Sequence, residues 1–263
     1  MLRLKPGLAL SAILALLSHP ACAQGGFSLA PAFEYTRGDF GAAVDTEIRY
    51  YAVTGKYESG PLILRLTLPH IKITGPGNVV GGAGERIQLG AAAAVTRRSA
   101  SGMGDVVASA SYNVYQSRAA GELIDLTGKI KFGTADEDKG LGTGQNDYSI
   151  QADFTKSFGQ FSTFGTLGWK KLGDSTIAGV SVDFRNPWYA VLGGIYKFSQ
   201  VTTGGIDYYY RQRVIAGGSR VSELRPFVSH SLTKTTRLQG YALTGFTDGS
   251  PDWGVGVVLS VDL

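Results

Sequence analysis

The sequence contains very little cysteine and histidine. Cys22 is the only cysteine among 263 residues, and there are three histidines. Because Cys22 lies in an N-terminal segment that we expect to be cleaved, the mature chain has no thiol, which excludes disulfides and cysteine-based metal sites. The mature chain keeps only His70 and His230, and their wide separation argues against a histidine-based metal site. We therefore expect no cofactor.

Long apolar runs, helical periodicity and basic clusters are also missing. No segment has the 18 or more apolar residues that a membrane-spanning helix requires, and the mean hydropathy is close to zero. Such a low value fits a membrane protein only if polar and apolar residues alternate along strands. The net charge of +4 includes Arg3 and Lys5, so +2 remains without them. The lack of a basic cluster gives no indication of a nucleic-acid partner.

The first 23 residues have the features of a cleaved secretory signal. Arg3 and Lys5 precede an apolar run from Leu8 to Leu17, and the small-residue triplet Ala21-Cys22-Ala23 follows. This order of basic, apolar and small residues is typical of a signal peptide, and the apolar run is too short to cross a membrane as a helix. We expect residues 1–23 to be removed and residues 24–263 to form one domain.

What the chain does contain is strict alternation of apolar and polar residues. Between Glu122 and Phe132, for example, Leu126 and Ile130 lie on one face of a predicted strand, and Asp125 and Lys129 lie on the other. In a soluble sandwich the apolar face would pack on a second sheet, whereas in an outer-membrane barrel it contacts lipid and the charged face lines the interior. Because the chain is exported, rich in glycine and aromatic residues, and patterned only as strands, we favour the barrel.

The alternation predicts twelve strands. They lie roughly at residues 26–36, 46–58, 61–73, 104–116, 121–133, 146–157, 160–171, 186–198, 201–213, 221–233, 235–247 and 252–263. Short and long connections alternate, as in a barrel whose short turns lie on the periplasmic side. The fold class is therefore all-β, a transmembrane antiparallel β-barrel of the outer-membrane type. The longest connection, residues 74–103 with Gly81-Gly82 and Ala91 to Ala94, is long enough to fold inwards as a plug, lid or constriction.

Strand ends carry features of an outer-membrane location. Aromatic residues suited to interfacial belts lie near predicted strand ends: Tyr35, Tyr57, Trp169, Trp188, Tyr196, Phe246 and Trp253. The last strand resembles the terminal sorting strand of outer-membrane proteins, although it ends in Leu263 where an aromatic residue is usual. We expect localisation in the bacterial outer membrane, contact with its lipid, and dependence on the barrel-assembly machinery during biogenesis.

Motifs that suggest focal chemistry have weak support. The run from Gly140 to Gly144 lacks the following helix and lysine of a phosphate loop, so a flexible outer loop explains it better. Asp136-Glu137-Asp138 lacks the ligand spacing of a calcium site. His230 points to the opposite face from its neighbours Ser229 and Ser231, so no nucleophile and base lie side by side. We expect no enzyme.

Charged and polar residues are instead distributed along the predicted inward faces. The candidate pore-lining residues are Arg65, Asp125, Lys129, Lys131, Asp147, Gln151, Asp153, Lys170, Asp207, Arg211, Glu223 and Arg225, with Arg237 on the same face. Charges shielded from bulk water must be paired or hydrated. The set therefore implies either a polar lumen or a structural network of salt bridges inside a closed barrel.

Several stretches resemble a known family. Leu66 to Lys72, Ser101 to Asp105, Gly128 to Thr134 and Gly140 to Gly144 are similar to the outer-membrane proteins of the putative meta-pathway of phenol degradation family. In that family an aromatic residue is more common at the position of His70. The resemblance implies an outer-membrane β-barrel with a role in moving small, often aromatic or hydrophobic, compounds.

The leading hypothesis is a monomeric, porin-like channel or transporter through which small-molecule solutes diffuse passively. Twelve strands enclose less space than the sixteen or more of open porins, so the lumen is expected to be narrow. The rival hypothesis is a closed structural or surface-interaction barrel without transport activity. A lumen fully bridged by arginine–carboxylate pairs would favour the rival, and a continuous hydrated path would favour the channel.

Overall fold

A computed structural model describes residues 26–82, 85–88, 98–177 and 180–263. The expected signal peptide, residues 1–23, and the run from Ala91 to Ala94 lie outside the described residues. Within the described part of the chain, no helix is long and apolar enough to cross a membrane.

The described residues form seventeen strands. They are β1 (Gly26–Gly38), β2 (Thr46–Ser59), β3 (Leu62–Gly75), β4 (Val79–Gly82), β5 (Glu85–Gln88), β6 (Arg98–Met103), β7 (Val107–Ser117), β8 (Glu122–Lys131), β9 (Asp147–Phe158), β10 (Phe161–Lys171), β11 (Ser175–Ile177), β12 (Val180–Val182), β13 (Trp188–Lys197), β14 (Thr202–Arg211), β15 (Val221–Ser231), β16 (Thr236–Gly245) and β17 (Trp253–Asp262).

Twelve strand positions close into one antiparallel barrel, which confirms the predicted fold class. Each barrel strand pairs with its neighbours in the chain, and β1 pairs with β17 from Ser28↔Asp262 to Arg37↔Trp253. β6 and β7 together occupy one position, because both pair with β3. The hydrogen-bonded wall at this position begins at Arg98, six residues earlier than predicted, and is interrupted at residues 104–106.

Connections at the two ends of the barrel differ in length, as predicted. At one end, the barrel strands are joined by residues 60–61, 118–121, 159–160, 198–201 and 232–235. At the opposite end, the connections include residues 39–45, 132–146, 172–187, 212–220 and 246–252. We call these the short-turn end and the long-loop end. The first residue of β1 and the last of β17 lie at the short-turn end.

Alternation along the strands separates an apolar outer wall from an inner wall that carries buried polar and charged side chains together with apolar clusters around Ile71 and Val191. Leu64, Leu66 and Leu68 on β3 are exposed outwards, while Arg65 between them is buried inside. This follows from the pleat, which points successive side chains to opposite faces. Aromatic pairs lie near both ends of the outer wall: Phe27 and Tyr57, with ring centroids 4.7 Å apart, at the short-turn end, and Tyr35 and Trp253, 5.4 Å apart, at the other.

Part of the long connection between β3 and β6 folds into the barrel, which is one of the arrangements that its length permits. The hairpin of β4 and β5 buries Val79, Val80 and Ile87. Ile73 points inwards on β3, and a Cβ atom on Gly81 would lie 2.9 Å from the Ile73 Cδ1 atom. The hairpin therefore passes so close to the wall that a larger residue at Gly81 would require the end of the Ile73 side chain to move. It occupies interior space near the long-loop end.

Candidate functional site

The barrel interior holds all twelve predicted pore-lining residues on its inward faces. Nine are buried, namely Arg65, Asp125, Gln151, Asp153, Lys170, Asp207, Arg211, Glu223 and Arg225. The other three, Lys129, Lys131 and Asp147, are half-buried. Arg237 is also half-buried, and its Nε donates to Ser231 Oγ over 3.3 Å. Their role in lining a permeation path stays a prediction.

A deeply buried ion pair lies between β14 and β15. Arg225 donates from Nε and Nη2 to the same oxygen of Asp207, over 2.9 and 2.6 Å. The two residues are direct cross-strand partners, which places both side chains on the same inward face. With 1% and 2% of their side chains exposed, each charge depends on the other for stabilisation.

A second cluster joins the inserted hairpin to the wall. Arg86 on β5 donates to Glu34 on β1 over 2.5 Å, and its other terminal nitrogen lies 3.5 Å from an oxygen of Glu223 on β15. The Tyr241 hydroxyl donates to the second oxygen of Glu34 over 2.7 Å. Arg211 donates to the backbone carbonyl of Arg86. Arg86 therefore anchors the hairpin across the interior to three separate strands, β1, β14 and β15.

On the opposite wall, Asp153 is stabilised by neutral donors. Its carboxylate accepts hydrogen bonds from Gln151 Nε2 at 2.6 and 2.7 Å, from Thr166 at 2.6 Å and from Thr127 at 3.1 Å. The Tyr189 hydroxyl donates to the Gln151 carbonyl oxygen over 2.7 Å. Several donors satisfy the carboxylate without a direct ion pair in the described residues, so this wall keeps a net polar surface.

The two lysines of β8 have different surroundings. Lys131, near the long-loop end, lies 2.9 Å from both Asp105 and Asp147. Lys129 makes no ion pair within 4 Å in the described part of the chain, and its ammonium lies 5.7 Å from the centroid of the Tyr189 ring. Lys131 is therefore neutralised locally, whereas Lys129 lies beside an aromatic ring.

Interior aromatic rings lie against the wall because glycines face them. Tyr189 is the direct partner of Gly168, and a Cβ atom on that glycine would meet the Tyr189 ring at 2.3 Å. Tyr241 is likewise the direct partner of Gly256, and a Cβ atom on that glycine would lie 2.2 Å from the Tyr241 ring. Only glycine permits such close approach of a ring to the strand. These rings take up less of the central space than they would above a larger residue.

Sequence reasoning missed several interior polar residues. Glu34 alternates with the outward Phe33 and Tyr35, so the period of two contained the signal. Asp105 lies inside the break between β6 and β7, where it accepts a hydrogen bond from the Ala135 backbone amide. Arg86 lies in a connection whose inward path has no local sequence signal.

The run from Gly140 to Gly144, which we predicted as a flexible outer loop, packs against the inserted hairpin instead. Leu141 is buried in a cluster with Ile73 and Val79, and the Gly81 amide donates to the Gly140 carbonyl over 3.0 Å.

The acidic run and the two histidines lie outside the interior. Asp136 accepts a 2.5 Å hydrogen bond from Lys139, and this contact lowers the pKa of the Asp136 carboxyl below its ordinary value. No group of three potential metal ligands occurs within the described ranges. His70 and His230 are exposed on the outer wall and hydrogen-bond to Ser101 and Thr202.

Comparisons with known proteins agree with this architecture. The family model described as "Putative MetA-pathway of phenol degradation" matches residues 24–263. The chain is similar in structure to the COG4313 outer membrane channel from Pseudomonas putida F1, at 15% identity and a TM-score of 0.68, covering 92% of this chain and 97% of that one. The transport unit of the autotransporter AIDA-I from Escherichia coli gives 9% identity, a TM-score of 0.49 and coverage of 91% and 90%. No curated protein matches. Because the identity to the channel from Pseudomonas putida F1 is only 15%, that similarity shows a shared fold and nothing beyond it.

Proposed function

Because the chain belongs to the family of the MetA-pathway of phenol degradation, we propose that it is an outer-membrane channel for passive passage of small solutes, aromatic or hydrophobic compounds among them. The family match confirms the resemblance found in the sequence. The proposed channel acts as a monomer in contact with outer-membrane lipid. It is inserted by the barrel-assembly machinery and needs no cofactor or energy source.

The observation that carries this proposal is the inside-out distribution of side chains. Large apolar residues such as Leu66, Leu126 and Leu192 are exposed on the outer wall, while charged residues of both signs line the inner wall. In water such an outer wall would be unfavourable, because burying apolar surface gains roughly 25 cal/mol per Å². In a bilayer the same wall contacts acyl chains, and the charged residues stay inside.

Incomplete pairing of the interior supports a channel over a closed structural barrel. Close arginine–carboxylate pairs concentrate on the side of β14, β15 and the inserted hairpin. Across the interior, Lys129 has no ion pair within the described ranges, and Asp153 is bonded to neutral groups. An ionisable group without a counter-ion in a low-dielectric space keeps its charge only when water hydrates it. Water along this wall would provide a polar path.

The closed barrel remains the second candidate, and the inserted hairpin is the observation that favours it. Arg86 ties the hairpin to Glu34 and Glu223, so the lumen is narrowed near the long-loop end. In the proposed channel, this contact forms a constriction that limits the size of the solutes.

Swelling of liposomes distinguishes the two candidates. Vesicles containing the folded mature protein would be diluted into iso-osmotic sugars, amino acids and aromatic acids of increasing size. We expect faster swelling than in protein-free vesicles for the smallest solutes, with rates that fall as solute size increases. Rates equal to those of protein-free vesicles for every solute would support the closed barrel.

A further inference from the structure

A cleft lies on the outer side of the barrel at the long-loop end. Its volume is about 850 Å³, and it lies between the connections that follow β12, β14 and β16. Arg185, Arg213 and Arg220 line it from these connections, and Tyr210 and Phe246 line it beside the barrel wall. It is separate from the barrel interior, where Tyr209 and Arg211 of the same strand point.

The cleft has an excess of positive charge. Asp248 is the one carboxylate among its lining residues, so three arginines and one aspartate give a local charge of +2. In the described part of the chain, none of these arginines forms an ion pair within 4 Å, and all three side chains are exposed. Their guanidinium groups are therefore available to an external anion. Guanidinium groups match the geometry of phosphate oxygens better than a point charge does.

The connections that form the cleft are held in place by backbone contacts and a small apolar cluster. The amide of Arg185 donates to the Val214 carbonyl over 2.7 Å, and the Thr247 hydroxyl donates to the Arg220 carbonyl over 2.6 Å. Beneath them, Ile87 of the inserted hairpin packs in a cluster with Val214. The cleft is thus preformed, which reduces the entropic cost of binding a ligand.

The height of the cleft relative to the membrane restricts the source of the anion. Phe246 directly follows β16 and Trp188 begins β13, and they are exposed by 61% and 51%. Exposed aromatic residues at strand ends are typical of the level of lipid headgroups. Arg185, Arg213 and Arg220 lie within three residues of the ends of β13, β14 and β15, and we infer that this puts them within reach of headgroup phosphates. Clusters of basic residues beside a membrane bind phosphorylated headgroups through this combination.

We propose that the cleft binds a phosphate-bearing headgroup of an acylated lipid in the outer leaflet. Arg185, Arg213 and Arg220 contact the phosphate oxygens, and Tyr210 and Phe246 pack against the acyl chains. This role goes beyond solute passage. It assigns a fixed lipid to one side of the barrel and thereby orients that side in the membrane.

The test measures lipid binding to refolded mature protein in zwitterionic detergent by titration calorimetry. The probes are a bisphosphorylated lipid A, the same acylated disaccharide without phosphates, and inorganic phosphate. The test variant replaces Arg185, Arg213 and Arg220 with Gln. A control variant replaces three cations at the short-turn end, Arg118, Lys197 and Lys234, with Gln, so both variants lose the same charge. Heat-modifiable migration in gels verifies that each protein is folded.

We expect the phosphorylated lipid to bind at least about tenfold more tightly than the dephosphorylated one, and the test variant to lose that difference, because charge-assisted hydrogen bonds are lost. The control variant should bind like the wild type. Equal binding of both lipids, or unchanged binding by the test variant, would overturn the proposal. Inorganic phosphate that binds as tightly as the phosphorylated lipid would assign the cleft to free anions instead. The assay measures lipid binding and not conductance, so its outcome does not depend on whether the barrel acts as a channel.

Discussion

Replacing Leu126 with arginine tests whether the outer wall contacts lipid. Leu126 lies in the middle of β8, between its cross-strand partners Tyr112 and Ala152, and 46% of its side chain is exposed outwards. An arginine near the bilayer midplane costs about 2–4 kcal/mol in a β-barrel. Since about 1.4 kcal/mol corresponds to a factor of ten, the folding equilibrium should shift by roughly 30-fold to 1,000-fold.

The assay is equilibrium folding into phospholipid vesicles across a denaturant series, with Val201→Arg as the matched control. Val201 is 47% exposed, almost the same as Leu126, but it lies in the turn between β13 and β14. Arginine near the interface costs only about 0–1 kcal/mol. Equal losses at both positions, or no loss at Leu126, would refute lipid contact of this face.

Three further predictions concern the interior. Lys129→Glu should shift ion selectivity towards cations, since it reverses an interior charge in a low-dielectric space; an unchanged reversal potential in a salt gradient would place Lys129 outside the permeation path. Arg86→Ala should increase conductance by releasing the hairpin from Glu34, and an unchanged conductance would show that the hairpin does not limit passage. Asp207→Asn should cost about 3–5 kcal/mol in vesicle unfolding, because Arg225 would stay buried and charged without its directly bonded carboxylate; a loss below about 1 kcal/mol would mean that water already screens the pair.

The sequence predicts the barrel well because both faces of each strand carry a signal. From Ile124 to Lys131, every outward residue is apolar or glycine and the inward residues are charged or polar, so the period of two determines the strand and its two faces. The alternation of loop lengths then predicts which end of the barrel carries the short turns. These features depend on residues that are close together in the sequence, so the alternation along one chain is enough to predict them.

Contacts between distant segments are harder to predict. The extension from Arg98 to Met103 consists mostly of small and polar residues, so no apolar stripe marks it as a strand. The bond from Arg86 to Glu34 joins residues 52 positions apart, and its geometry depends on where the hairpin enters the barrel. The inward rings of Tyr189 and Tyr241 depend on a glycine in the neighbouring strand. Each of these features requires the register between strands, which sequence alternation leaves open.

The conductance of the folded mature protein in planar bilayers tests the central claim most directly. A polar, incompletely paired lumen narrowed by the inserted hairpin predicts discrete conductance steps that increase with salt concentration. Protein with the heat-modifiable migration of a folded barrel that produces no steps, at any salt concentration or voltage the bilayer tolerates, would contradict the channel and support a closed structural barrel.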